Sequence, residues 1–312
     1  NDRFLRLWHE VALDKTGFGY NNLQEAAASE KKWFPYNKGG PFRKWYGNNS
    51  YVVNWDNNGY EIKNFRDSKG KVRSRPQNEN YYFKESITWS FISSGYFGVR
   101  YSDTGFLFDV SGSSAFPSKS ESLWLTGLLC SKQVFEFMQV MNPTLNFQVG
   151  NVASLPVLRN KLRDNLENIN IVVKDIIELS RKDWDSYERS WNFKSFPLIS
   201  SSTNPTSLKE SYLTWVLKNK MKITEMKQLE EDNNSLFLNA YDLQDELTPG
   251  IPIEQITLTV NPAYRYGKNL TKEDLQSRFQ KDTIVELISY AIGCMMGRYS
   301  LDHPGLILAD SQ

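Results

Sequence analysis

Four cations alternate along Lys69-Gly70-Lys71-Val72-Arg73-Ser74-Arg75. On an extended backbone all four would project to one side, because residues i, i+2 and i+4 share a face. Lys and Arg in such a comb neutralise phosphates, and Arg can also grip a guanine edge through two parallel hydrogen bonds. A second loop, Gly39-Gly40-Pro41-Phe42-Arg43-Lys44-Trp45, carries glycines that would let a nucleic-acid backbone come close. The candidate DNA-binding residues are Lys69, Lys71, Arg73 and Arg75 of the comb, Lys38, Arg43 and Lys44 at the loop, and Lys84 and Arg100 in the same basic stretch of chain. Most are assigned to phosphates, with Arg73 or Arg75 assigned to bases. The competing reading of the same residues is a solvated hairpin over an aromatic core.

Other reactive groups do not assemble into a catalytic centre. Asn261-Pro262-Ala263-Tyr264 follows Ile256-Thr257-Leu258-Thr259-Val260 and invites comparison with the Asn-Pro-Pro-Tyr tetrad that holds a flipped base in amino-methyltransferases. Its third residue differs, however, and no Gly-x-Gly loop follows an apolar strand upstream, so a strand-ending Asn-Pro turn is expected. His9 and His303 accompany no nucleophile elbow, and the Glu230-Glu231 pair reads as a charged helix face. Two histidines and two cysteines, Cys130 and Cys294, exclude a His-rich metal centre and a disulfide scaffold. No catalytic residue, metal ligand or cofactor-binding residue is assigned.

The elements that must position the cations follow from composition and pattern. The 312 residues carry 37 Lys+Arg against 36 Asp+Glu, so a basic surface has to be local. It is concentrated in residues 31–100, which hold 13 Lys/Arg against 5 Asp/Glu together with 17 aromatic residues. Short aromatic and β-branched runs between turn signals there predict strands. Tyr51 to Trp55 and Tyr60 to Ile62, joined by Asn57-Asn58-Gly59, predict a hairpin; Ser86–Ser93, Tyr96–Tyr101 and Phe106–Val110 predict further strands, making 31–118 mostly β. From Ser118 helical spacing begins, with Ser118 and Glu121 at capping-box distance. Leu145–Gly150 predicts a strand, and Leu158, Leu162, Leu166, Ile169, Val172, Val173 and Ile176 mark one face of a long helix. Further helices are expected over Leu208–Leu229 and from Leu270, capped by Thr271, to about Arg298, with a short strand at Ile256–Val260.

The fold class is thus α+β, a β-rich domain followed by a mostly helical region. The expected boundaries are 1–30 as a connector, 31–157 as a β-rich domain carrying the candidate DNA-binding residues and 158–312 as a helical domain. No run of about 18 apolar residues and no secretory leader are present, so a cytoplasmic location is expected. Residue 1 is Asn and the first Met is Met138, from which the chain is expected to begin within a longer polypeptide.

Five separated strings carry a resemblance: Asn1-Asp2-Arg3-Phe4-Leu5-Arg6-Leu7-Trp8-His9-Glu10-Val11; Lys32-Trp33-Phe34-Pro35-Tyr36-Asn37-Lys38-Gly39-Gly40; residues 145–157, LNFQVGNVASLPV; Lys182-Asp183-Trp184-Asp185-Ser186; and residues 292–302, IGCMMGRYSLD. In this order they resemble the C-terminal portion of the PglX family, adenine-specific DNA methyltransferases of BREX phage-defence systems, similar in plan to type IIG restriction-modification enzymes. The resemblance implies an upstream domain that binds S-adenosylmethionine and methylates N6 of a flipped adenine, with this chain supplying target recognition. Implied partners are double-stranded DNA, other BREX proteins and an acidic, DNA-mimicking phage inhibitor. The alternative is a protein-interaction module that docks another defence component without touching DNA.

Overall fold

The computed structural model describes residues 3–93, 95–142, 144–199 and 207–307. The chain divides into two compact units, the first running to Val157 and the second from Leu158. The fold is α+β, as the sequence predicts: strands occur in the first unit, and the second is helical.

Among the described residues, seven short strands form two sheets in the first unit. The four-stranded sheet has the order β1 (Leu5–Leu7), β3 (Tyr51–Asn54), β2 (Trp33–Asn37), β6 (Leu107–Phe108). β3 runs antiparallel to both neighbours, pairing Leu5 with Val53 and Phe34 with Val53, and β6 joins β2 in parallel at Tyr36 and Asn37. Pro35 falls in the gap between the Thr16 bridge to Trp33 and the β6 pairing that starts at Tyr36, where its missing N–H removes no ladder bond. Phe34, Val53, Trp55, Tyr82, Phe83 and Leu107 pack as one core below this sheet. Their rings meet edge to face, Phe34 with Phe83 at 5.4 Å and Trp55 with Tyr82 at 5.1 Å, the arrangement ring quadrupoles favour. Residues ahead of 31 are built into the unit through β1 and through α1 (Leu23–Ala28).

The second sheet is antiparallel, β5 (Val99–Ser102), β4 (Ser86–Ser90), β7 (Gly112–Ala115). Every residue of β4 is buried, and its Trp89 indole donates to the Phe147 carbonyl at 2.9 Å. Helices α3 (Ser122–Leu129), α4 (Lys132–Met141) and α5 (Val149–Ala153) complete the unit. Ser118 and Glu121 do pair one turn ahead of α3, the carboxylate accepting from the serine hydroxyl at 2.7 Å.

Several local expectations fail for identifiable reasons. Tyr60–Ile62 is not the return strand of a hairpin. Asn57, Asn58 and Gly59 take positive φ and coil the chain into α2 (Asp56–Lys63), where Ile62 packs on the sheet core. The stretch 31–118 is less β-rich than expected, since its strands are two to five residues long and loops join them. Leu145–Gly150 contributes only a bridge, Asn146 to Ile92, before turning into α5.

In the second unit α6 (Arg159–Leu162) and a short 3-10 turn precede α7 (Leu166–Asp185), so the long helix begins a turn or two later than the spacing predicts. Ile169, Val173, Ile176 and Ile177 are its buried stripe. α7 packs on α8 (Leu208–Ala240), which outruns its predicted end at Leu229 because Asn233, Asn234, Phe237 and Leu238 continue the buried face. α9 (Pro262–Tyr266) and α10 (Lys272–Met295) follow, and Trp215 of α8 stacks on Phe279 of α10 at 5.3 Å. Thr271 caps α10 as predicted, its hydroxyl accepting from Asp274 N at 3.1 Å. Among the described residues no helix is long and apolar enough to cross a membrane.

Candidate nucleic-acid interface

The comb of cations is built as a short finger between α2 and β4. Phe65 to Arg73 folds back on itself, with Arg66 opposite Val72 and with Asp67 N donating to Lys71 O and Arg73 N to Phe65 O, both at 2.9 Å. Asp67 organises the tip: one carboxylate oxygen accepts from the backbone N–H of Lys69 at 3.0 Å and of Lys71 at 2.9 Å. Gly70, at φ +76°, supplies the left-handed residue that this turn needs. Lys71 and Arg73 lie on the Asp67 face and Val72 on the other; Arg73 comes within 4.0 Å of Asp67. Lys69 is in the turn itself, so the extended-strand argument holds for Lys71 and Arg73 and not for Lys69. Lys69, Lys71, Arg73 and Arg75 are all exposed.

Residues 64–78 hold five cations (Arg66, Lys69, Lys71, Arg73, Arg75) and one anion (Asp67), a net of +4. Arg66 was not among the candidates. Its guanidinium donates to Gly70 O at 2.8 Å, and the Asp-Ser-Lys-Gly turn signal is what could have pointed to it and to Asp67. The finger is rooted by Phe65, which meets Phe4 edge to face at 5.2 Å while Arg3 lies 5.4 Å over its ring. Arg3 also donates to Glu61 at 2.8 Å, and that hydrogen bond holds the Glu61 carboxyl below the usual carboxylate range.

Arg43, Lys44 and Arg100 lie elsewhere and are buried, the two arginines at 1% and 2% exposure. Arg43 Nε donates to Tyr46 O at 2.8 Å, and Arg100 Nη1 donates to Gly98 O at 3.2 Å and, more weakly, to Arg43 O at 3.5 Å. They brace the 40s loop against β5, where Trp45 N donates to Val99 O and Tyr101 N to Trp45 O. The glycines of this loop serve the same packing: a Cβ on Gly39 would lie 2.5 Å from Ser111 O. Their close approach is to the protein's own backbone. Lys38, half-buried, follows β2, and Lys84 is exposed over the Tyr81 ring at 5.1 Å. Of the nine candidates, the structure therefore brings Lys69, Lys71 and Arg73 together on one exposed hairpin, with exposed Arg75 two residues beyond it.

In the second unit Asn261 is structural. Its side chain accepts from Ala263 N at 3.2 Å to cap α9 and donates to Ile253 O and Ile256 O at 2.7 and 2.9 Å. The preceding Ile256–Val260 is a turn rather than a strand, held by Asp183, whose carboxylate accepts from Thr259 N at 2.7 Å and Val260 N at 3.1 Å. Burial, only partly offset by Arg265 at 2.8 Å, raises the Glu286 carboxyl above the ordinary range. Among the described residues no group of His, Cys, Asp or Glu is placed to hold a metal ion.

No family model matches the chain. Over 99% of its length it is 38% identical to the adenine-specific methyltransferase PglX of Lacticaseibacillus casei (strain Zhang). It is 36% identical, also over 99% of its length, to the adenine-specific methyltransferase BrxX of Escherichia coli O9:H4 (strain HS). The chain spans about a quarter, 24%, of each of these relatives.

Proposed function

We propose that this chain is the DNA target-recognition and C-terminal region of a site-specific adenine-N6 DNA methyltransferase acting in a bacterial BREX phage-defence system. The carrying observation is its end-to-end similarity to two adenine-specific methyltransferases four times its length. The rest of such a polypeptide would hold the S-adenosylmethionine site and the catalytic residues, and would methylate an adenine flipped from duplex DNA in the cytoplasm. The exposed finger supplies the charge that duplex binding needs. Lys69, Lys71, Arg73 and Arg75 are its phosphate contacts, with Arg73 or Arg75 reaching a base edge, and Lys84, outside the finger, is another phosphate contact. Lys38, half-buried at the end of β2, is a further phosphate contact.

An acidic, DNA-mimicking inhibitor would compete for the same surface. A second role, docking of other defence proteins, is favoured by one observation on α10, where Val285, Ile288, Ile292 and Met295 form an exposed apolar stripe, Met295 at 87% exposure.

The test is site methylation by the full-length polypeptide carrying Lys69→Ala, Lys71→Ala, Arg73→Ala and Arg75→Ala together. Adenine methylation of host DNA is expected to fall at least about tenfold, since several phosphate contacts are lost at once. Undiminished methylation by this variant would exclude the finger from recognition.

A further inference from the structure

We propose that Tyr60 is a stacking residue, its ring placed against a base that leaves the helical stack when the DNA is bound; the proposal rests on the DNA-binding reading above. Three consecutive residues, Asn57, Asn58 and Gly59, take φ of +46°, +57° and +74° immediately before it. L residues visit this left-handed region singly and not in runs, so a full left-handed turn is an unusual conformation that the surroundings must enforce. They do so through Trp55: Gly59 N donates to Trp55 O at 3.2 Å, and a Cβ on Gly59 would lie 2.7 Å from the buried indole.

The turn sorts the side chains that follow. Ile62 packs on the sheet core, Glu61 accepts from Arg3 and Asn54, and Lys63 lies 4.9 Å over Trp55 while pairing with Glu79 at 2.6 Å. Tyr60 alone is sent outward. Its backbone is pinned, with Asn64 donating to its carbonyl from both N (3.1 Å) and Nδ2 (2.8 Å), yet its side chain is 64% exposed. Among the described residues Tyr81 is the other exposed aromatic, and that ring lies on Phe116 at 4.7 Å beneath Lys84. An exposed ring on a pinned backbone suits stacking, because any unstacked base offers it a π face. The finger's first residue, Phe65, follows five positions later, so the exposed ring and the exposed cations come from adjoining stretches of chain.

The experiment is fluorescence anisotropy of the 312-residue chain with a mixed-sequence duplex, for wild type, Tyr60→Ala, Tyr60→Phe and the four-residue finger variant. The same duplex carrying 2-aminopurine opposite a mismatch reports stacking directly, and an unstacked base should favour the contact. On the mismatched duplex Tyr60→Ala is expected to weaken binding about tenfold with an unchanged salt slope and unchanged melting temperature, and to abolish 2-aminopurine quenching. Tyr60→Phe is expected to match wild type in both. Wild-type affinity and quenching in Tyr60→Ala would overturn the proposal. So would a weakened Tyr60→Ala whose melting temperature falls, which would make the residue structural. If the finger variant loses binding and Tyr60→Ala does not, only the stacking role fails; if wild type binds no duplex at all, the recognition reading fails and the stacking role with it.

Discussion

Replacing Arg100 by Ala is expected to destabilise the first unit by about 4 kcal/mol and lower its melting temperature by roughly 10 °C. The guanidinium is 2% exposed and donates to the carbonyls of Gly98 and Arg43. Truncation removes the hydrogen bonds donated by the guanidinium, at about 1 to 3 kcal/mol for a buried group left unsatisfied, and opens a cavity beneath β5. Gly98, where an added Cβ would lie 2.8 Å from Arg43 O, shows how closely the two segments are pressed together. Any loss of DNA binding in this variant is then a consequence of unfolding and should appear equally for every sequence tested. Thermal denaturation followed by near-ultraviolet circular dichroism decides the matter. A variant that melts with wild type while binding DNA poorly would make Arg100 a contact residue instead.

Asp183→Ala is expected to cost the second unit about 3 to 5 kcal/mol, because one buried carboxylate satisfies two backbone donors, Thr259 N and Val260 N. Hydrogen bonds to charged groups contribute about 1.5 to 3 kcal/mol each, and both donors stay buried when the acceptor is removed. These bonds tie the end of α7 to the turn that leads into the Asn261 cap, so the loss should loosen α9 as well. Asp183→Asn keeps one acceptor oxygen and should recover part of the stability. Urea denaturation of the three proteins provides the comparison, and an Ala variant within about 1 kcal/mol of wild type would show that the turn holds without the carboxylate.

What could be read from sequence depended on the range of the interactions involved. Thr271 as a cap, the helical face of α7 and strand Tyr51–Asn54 follow from residues a turn or a pleat apart, and local spacing sufficed for each. Arg43 and Arg100 could not be distinguished from surface cations. They are 57 residues apart, and their burial depends on Trp45 bridging to Arg100 at the edge of β5, a contact no local pattern encodes. Asn57-Asn58-Gly59 reads as a two-stranded turn by type. The deciding contact is Trp55 beneath Gly59, which turns the chain into α2 before a return strand can form. Ile256–Val260 has strand composition but no partner strand in a helical unit, and Asp183 takes two of its N–H groups instead. At the finger the alternating cations were visible, whereas the displacement of Lys69 into the turn follows from Asp67 gathering two backbone donors.

The most direct test of duplex binding through the finger is a salt series. Anisotropy of the chain with a mixed-sequence duplex should give a linear fall of log affinity with log salt, as counterions are released from each phosphate contacted. Replacing Lys69, Lys71, Arg73 and Arg75 together by Ala should weaken binding and reduce the slope by up to about 3.6, near 0.9 for each contact removed. An unchanged slope and affinity in that variant, with the wild type bound, would contradict the assignment of DNA recognition to this finger.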